Sequence, residues 1–264
     1  MQSLILPDLA RDFLAQCQLP ALFSTSLKVT GSKISRERWL LTLPQSDFHA
    51  PQMPLLEKQA YAFLDLQKPD TTGRDRAAQE GVIAQGLSAI ARRQPGQTCL
   101  HIGYVKEGLQ EIRKLYYEYD PTHDPTVFMA LKSQRGSLDI HRYDLCDPRE
   151  LVSKIPLDPD IKSFLRDFLR STNQPLDALH VHSMRSSRQS LDVNLSDLDT
   201  PPELRNFLLS VLARLQPSAT HEICEIYPRP THIALGQTAA GEDFLTLYGA
   251  AYWVEPGRIM GQKA

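Results

Sequence analysis

Apolar and polar positions along this chain change period five times: a stretch with apolar residues at helical spacing gives way to two alternating runs joined by a short polar turn. In residues 4–18, Leu6, Leu9, Phe13 and Leu14 recur at helical spacing, with Asp8 near the start. Runs at 22–30 and 38–43 follow, turned at Gly31-Ser32 and stopped at Pro44. Residues 44–54 hold three prolines and read as a connection, followed by helical stretches at 55–66 and 76–93 around a polar 69–73 segment.

The second hairpin is the clearest. It pairs 98–106 with 110–119 across Glu107-Gly108, and places Ile112, Lys114, Tyr116 and Glu118 on one face, with Arg113, Leu115, Tyr117 and Tyr119 on the other. The third pairs 127–133 with 138–145 through Gln134-Arg135-Gly136. The fourth has a helix at 159–171, then runs at 178–185 and 190–195 around a 186–189 turn. The fifth has a helix at 202–215 capped by Thr200, then runs at 223–235 and 243–253 around 238–241.

Ten antiparallel strands must protect their edges, and closure into a barrel does so. Helices between hairpins then cover the outer face, leaving the inner face free to be polar and to hold a ligand. The expectation is an α+β fold: a ten-stranded antiparallel β-barrel surrounded by helices, a single domain over residues 1–264. An open antiparallel sheet backed by helices is the alternative.

Composition is compatible with either form. The chain is 42% hydrophobic, enough for a sizeable core, and its 29 basic and 31 acidic residues leave no general nucleic-acid footprint. No basic-apolar leader and no apolar run near the ~20 residues of a membrane span is evident, which reads as a soluble, cytoplasmic protein without a membrane partner. Cys17, Cys99, Cys146 and Cys224 are scattered without a CxxC pair and read as buried thiols. His180 and His182 share a strand face but lack a third ligand, and read as polar barrel residues.

Residues on the second strands carry a resemblance. Lys28 on the first strand, Arg38-Trp39-Leu40-Leu41 on the second, Lys114-Leu115-Tyr116 on the fourth, His141-Arg142-Tyr143 on the sixth and Leu247–Trp253 on the last occur in order. In this the chain resembles the ABBA prenyltransferases, and within them is most similar to the cyanobactin peptide prenyltransferases. The resemblance implies a ten-stranded barrel. It also implies transfer of a dimethylallyl or longer prenyl group from its diphosphate to a nucleophilic side chain of a peptide, macrocyclic in that family. It further implies magnesium associated with the diphosphate and a monomeric enzyme. Small aromatic acceptors, or a noncatalytic barrel holding a peptide or lipid-like ligand, are the alternatives.

The chemistry accounts for the residue types. An allylic diphosphate ionises to leave concentrated negative charge beside a carbocation. Arg38 and Lys114 would pair with phosphate oxygens, and His141 would add a donor. Tyr116, Tyr143, Tyr248 and Tyr252 would donate hydroxyls and present π faces, with Asn194 completing the donor-binding set. Arg38 beside Trp39 is open between this role and a surface ion pair.

The first strand carries Phe23-Ser24-Thr25-Ser26 where the family often has an acceptor-side carboxylate. Glu118, Asp139 and Asp192 are the candidate acids from other strands. Asp120 and Asp124 do not form an aspartate-rich metal motif and read as turn residues.

Overall fold

The computed structural model describes residues 6–44, 53–64, 99–118, 126–134, 137–172, 174–184, 186, 188–198 and 202–255. Its strands are β1 (Ala21–Thr30), β2 (Ile34–Ser35), β3 (Arg38–Pro44), β4 (Cys99–Glu107), β5 (Gln110–Glu118), β6 (Thr126–Gln134), β7 (Ser137–Cys146), β8 (Ala178–Ser183), β9 (Gln189–Asn194), β10 (His232–Gln237), β11 (Asp243–Tyr248) and β12 (Tyr252–Val254). The helices described are α1 (Asp8–Cys17), α2 (Met53–Phe63), α3 (Pro148–Leu151), α4 (Pro159–Ser171), α5 (Pro202–Leu215) and α6 (Thr220–Ile226).

The sheet is a closed antiparallel meander. From β3 through β11 each strand pairs with its neighbours in sequence, and pairing of β11 with β1 closes a ten-stranded barrel. The short strands β2 and β12 extend the two walls flanking β1. The fold class expected from the periodicity is the one observed, and closure removes the edges that an open sheet would expose.

Alternation assigns the two faces. Leu27, Leu41, Ile102, Leu191, Ile233 and Leu245 are buried and point outward against helices. One outer core joins α1 and α2 to β3 and β4 through Phe13, Leu14, Leu56 and Phe63. A second joins α4, α5 and α6 to β9, β10 and β11, with Phe168 stacked on Phe207 at 5.0 Å between ring centroids. Each fully buried leucine in these layers stabilises the fold by about 1.5–3 kcal/mol. The Asp158 side chain accepts from the Asp160 and Ile161 amides at the start of α4, and also pairs with Arg214 at the end of α5. The helices are thereby tied to each other as well as to the sheet.

The strand ends that meet in hairpin pairs lie at one end of the barrel, and those that lead into the described helices lie at the other. No helix among the described residues is long and apolar enough to cross a membrane.

Three sequence expectations change. Residues 223–226 belong to helix α6, and the strand begins only at His232. Ile223, which mimics a strand residue in pattern, is instead the buried anchor of that helix. The last run breaks after Tyr248: Gly249 donates its N–H to the Thr25 carbonyl at 2.9 Å, and β12 resumes as a separate strand opposite Ala21, Leu22 and Phe23. Among the cysteines, Cys17 is buried, whereas Cys146 and Cys224 are only half-buried. The helix expected at 76–93, the Thr200 cap and the Asp120 and Asp124 turn lie outside the described residues.

Candidate functional site

The inward face of the barrel is polar toward the hairpin end. Lys28 of β1, Arg38 of β3, Lys114 of β5, Lys132 of β6 and Arg188, the residue before β9, line one cavity of about 370 Å³, with Lys33 at its rim. Its acidic lining residues are Glu107, Asp192 and Glu242. Six basic groups thus face three acidic ones in a chain whose formal net charge is −2. Such a concentration of basic groups in a partly open cavity attracts an anion.

The wall changes character away from the turns. One inward step beyond Lys114, His141 and Thr246 come Tyr116, Tyr143 and Tyr248. Tyr116 meets Tyr143 edge-on at 5.8 Å, and Phe128 and His101 extend the aromatic layer beneath them. His101 is anchored by a 2.8 Å hydrogen bond between Nδ1 and the Thr42 hydroxyl. Burial pushes the Tyr116 hydroxyl up to about 12 and raises those of Tyr143 and Tyr248, so all three stay neutral donors.

Charge crowding shows in the lysines. Burial, followed by the repulsion of neighbouring cations, holds Lys114 and Lys132 well below the ordinary lysine range. Lys28 is brought down to about 8, chiefly by burial, with Glu107 acting against the shift. Glu107 is the internal counter-ion of one side of the site. Its carboxylate lies 2.7 Å from Lys33 Nζ, 3.5 Å from Arg38 Nη1 and 3.9 Å from Lys28 Nζ. Burial works against its ionisation, but the Lys33 hydrogen bond and the charges of Lys28 and Arg38 win and keep it below the usual carboxylate range. Phe244 lies beneath two of the cations, 4.7 Å from Lys28 Nζ and 5.6 Å from the Arg188 guanidinium carbon.

His141 connects this cluster to the hairpin rim. Its Nδ1 lies 3.0 Å from Lys132 Nζ and its Nε2 2.8 Å from Asp139 Oδ2. Burial, then the charges of Lys132, Arg188 and Lys114, drive the imidazole down to about 2 despite Asp139, so the ring is neutral. It therefore acts as a hydrogen-bonding link and not as the cationic donor that a protonated histidine would supply.

Asp192 stands among the tyrosines. It is the middle inward residue of β9, opposite Leu179 on β8 and Ala234 on β10. Its Oδ1 is buried and has no hydrogen-bond partner among the described residues. Burial pushes its carboxyl up to about 7. A carboxyl in that range can accept a proton near neutral pH.

Of the residues predicted for the site, Arg38, Lys114, Tyr116, His141, Tyr143, Tyr248 and Asp192 line the cavity together. The other four do not. Glu118 lies at the far end of β5 opposite Phe128, outside the cavity lining. Asp139 is occupied by His141 and by the Ser183 hydroxyl at 3.2 Å. The Asn194 side-chain oxygen accepts from the Ser196 amide at 2.9 Å, at the crossover end of β9. Tyr252 is 57% exposed on β12, because the pairing with β1 shifts by one residue between Ser26–Tyr248 and Phe23–Tyr252 and turns its side chain to the outer face. His180 and His182 face outward beside Arg142 and Asp144 and are not part of the barrel interior.

In place of a first-strand carboxylate, Ser26 accepts a 3.3 Å hydrogen bond from Arg38 Nε. Sequence reasoning misses Lys132, Arg188 and Glu107. The Ala130-x-Lys132-x-Gln134 alternation on a first strand is the available signal for Lys132, whereas Arg188 and Glu107 look like ordinary turn residues. No protein-family model matches the chain, and no curated protein matches it.

Proposed function

We propose that the cavity binds an allylic diphosphate and transfers its prenyl group, dimethylallyl or longer, to a nucleophilic side chain of a peptide. One observation carries this reading: five buried or half-buried basic side chains converge above a layer of three neutral tyrosines inside a single cavity of about 370 Å³. An anion with a short apolar tail needs both halves, and the volume falls in the small part of the ~300–1,000 Å³ range of ligand pockets. The acceptor class rests on the resemblance of the ordered second-strand residues to the cyanobactin peptide prenyltransferases.

In this reading the C–O bond to diphosphate breaks and both electrons leave with the diphosphate. Lys114 and Arg188 receive its negative charge, together with Arg38 once Glu107 yields, and the Lys132 amine adds a hydrogen bond. Tyr116, Tyr143 and Tyr248 present π faces to the allylic cation and exclude water that would quench it. The acceptor then forms the new bond to carbon and releases a proton, which Asp192 takes up.

Magnesium enters only with the diphosphate. The lining is mainly cationic and Glu107 is already engaged, so the residues fit an ion held by phosphate oxygens rather than by a protein cage. A bound magnesium would add charge neutralisation to the leaving group.

The test is incubation with dimethylallyl diphosphate and a panel of linear and macrocyclic peptides, with indole and phenol acceptors in parallel. Diphosphate release and prenylated product mass are measured. Prenylated peptide is the expected product. Prenylated small aromatics alone would move the acceptor class, and tight donor binding without turnover would leave a binding barrel.

A further inference from the structure

Lys132 stands at the inner end of a hydrogen-bonded chain that begins in the cavity and ends at a carboxylate 36% exposed to solvent, that of Asp139. Because the Asp139 carboxylate accepts, His141 Nε2 carries the ring proton and Nδ1 is left as a lone pair. The Lys132 amine, 3.0 Å away, therefore donates to Nδ1. The Ser183 hydroxyl donates to Asp139 and holds it in turn. Acid, imidazole and nucleophile in hydrogen-bonded order is the arrangement that activates nucleophilic side chains, and here the nucleophile is an amine.

Its surroundings favour reactivity. Lys114 is directly opposite Lys132 in the β5–β6 register, and Arg188 lines the same cavity. Burial, and after it the charges of Lys114 and Arg188, hold the amine well below the ordinary lysine range, which favours the form that carries a lone pair. Those same cations would grip an anionic substituent on whatever reaches the amine.

We propose that Lys132 is an imine-forming amine, whose partner is a small carbonyl compound bearing an anionic group such as a carboxylate or phosphate. The neutral amine adds through its lone pair to the carbonyl carbon. One N–H proton passes from the nitrogen to the carbonyl oxygen, while His141 Nδ1 accepts the other N–H and holds the lone pair toward the carbonyl carbon. The carbinolamine then loses its hydroxyl and the second N–H proton as water, leaving C=N; nothing is oxidised or reduced. Arg38, Arg188 and Lys114 hold the anionic group. This chemistry is separate from prenyl transfer and needs no diphosphate.

Pyridoxal 5′-phosphate supplies an aldehyde and a phosphate in one probe. The full chain is incubated with it near neutral pH, reduced with borohydride and mapped by peptide mass. The expected result is one dominant adduct at Lys132, lost in Lys132→Met. The labelling rate should fall about tenfold or more in His141→Gln. Pyridoxal without phosphate should label more slowly. Inorganic pyrophosphate should protect the wild-type chain, a readout that survives if Lys132→Met does not fold.

Labelling spread over surface lysines with Lys132 unmodified overturns the proposal, as does an unchanged rate in His141→Gln. A Lys132 adduct that pyrophosphate does not protect leaves the imine chemistry standing and counts against the diphosphate reading. Pyrophosphate binding without a Lys132 adduct does the reverse.

Discussion

Lys114 and Lys132 stand directly opposite each other on adjacent strands of the cavity wall. Two basic side chains in that position resist protonation: burial and their mutual repulsion hold both amines well below the ordinary lysine range, at a cost to the fold. The fold does not need them: a methionine would fill either position. Lys114→Met is therefore expected to raise the unfolding free energy by about 1 kcal/mol while weakening inorganic pyrophosphate binding at least roughly tenfold. Chemical denaturation and calorimetric titration on the same preparation measure both, and a variant that is no more stable yet binds pyrophosphate as before would remove Lys114 from the anion site.

Glu107 competes with any incoming anion for Lys28, Lys33 and Arg38. Glu107→Gln keeps the shape and removes the charge. Pyrophosphate affinity should rise about tenfold, and the free protein should lose roughly 1–3 kcal/mol of stability as three cations lose their counter-ion. Weaker pyrophosphate binding in the variant would show instead that Glu107 assists the ligand.

Gly236 lies on β10 where it faces Ser190 of β9. A Cβ built there would stand 2.6 Å from the Ser190 Cβ and 2.7 Å from the Gln189 carbonyl oxygen, both on or next to backbone that cannot swing away. Gly236→Ala should therefore push β9 from β10 and cost roughly 2–3 kcal/mol. Because Asp192 lies one inward step along β9, pyrophosphate binding should weaken as well. A melting temperature equal to that of the wild type would show that the barrel wall absorbs the methyl group.

The hairpins are legible in sequence because a period of two survives any amount of twist, so the alternation alone puts Lys114 and Tyr116 on one face. Position along the barrel axis is a different matter. Strand tilt sets which inward residues share a layer, and it leaves no trace in the apolar–polar pattern. Asn194 has the same parity as Asp192, yet falls below the cavity at the crossover end. Glu118 shares a face with Tyr116 and lies beyond the aromatic layer.

Looking along second strands alone also hides Lys132, whose place depends on pairing with Lys114 across a hairpin boundary. The helix at 220–226 is disguised by its own side chains, since Ile223 and Ile226 suit a strand as well as a helix.

Tyr248 and Tyr252 test how far the resemblance carries. Tyr248 lines the cavity and packs edge-on to His232 at 6.2 Å, whereas Tyr252 faces outward on β12. Tyr252→Ala should leave donor binding and turnover within about twofold of wild type, since exposed substitutions seldom cost more than ~0.5 kcal/mol. Tyr248→Ala should cost at least about tenfold in turnover, and Tyr248→Phe less, because the ring face remains. Steady-state kinetics with dimethylallyl diphosphate measures all three, and a large loss in Tyr252→Ala would place the acceptor against β12.

Asp192 ties the proposed chemistry to a stability signature that needs no substrate. Its folded-state pKa of about 7 lies above the ordinary carboxylate value, so between about pH 4 and 7 the native state binds the extra proton. Stability contributed by this group is complete below about pH 4 and is lost as pH rises through 7. Lys28 moves the other way: its folded pKa of about 8 is below that of the unfolded chain, so stability is regained between about pH 8 and 10.5. Asp192→Asn should therefore flatten the fall between pH 4 and 7 and raise stability at pH 8 by roughly 1–3 kcal/mol, while Lys28→Met should flatten only the alkaline rise. Urea titrations across the pH series resolve the two slopes. If Asp192→Asn keeps the full acid-side slope, the carboxyl is ionised in the folded protein at neutral pH. It would still be able to accept a proton, but its pH–rate profile would then show no step near 7.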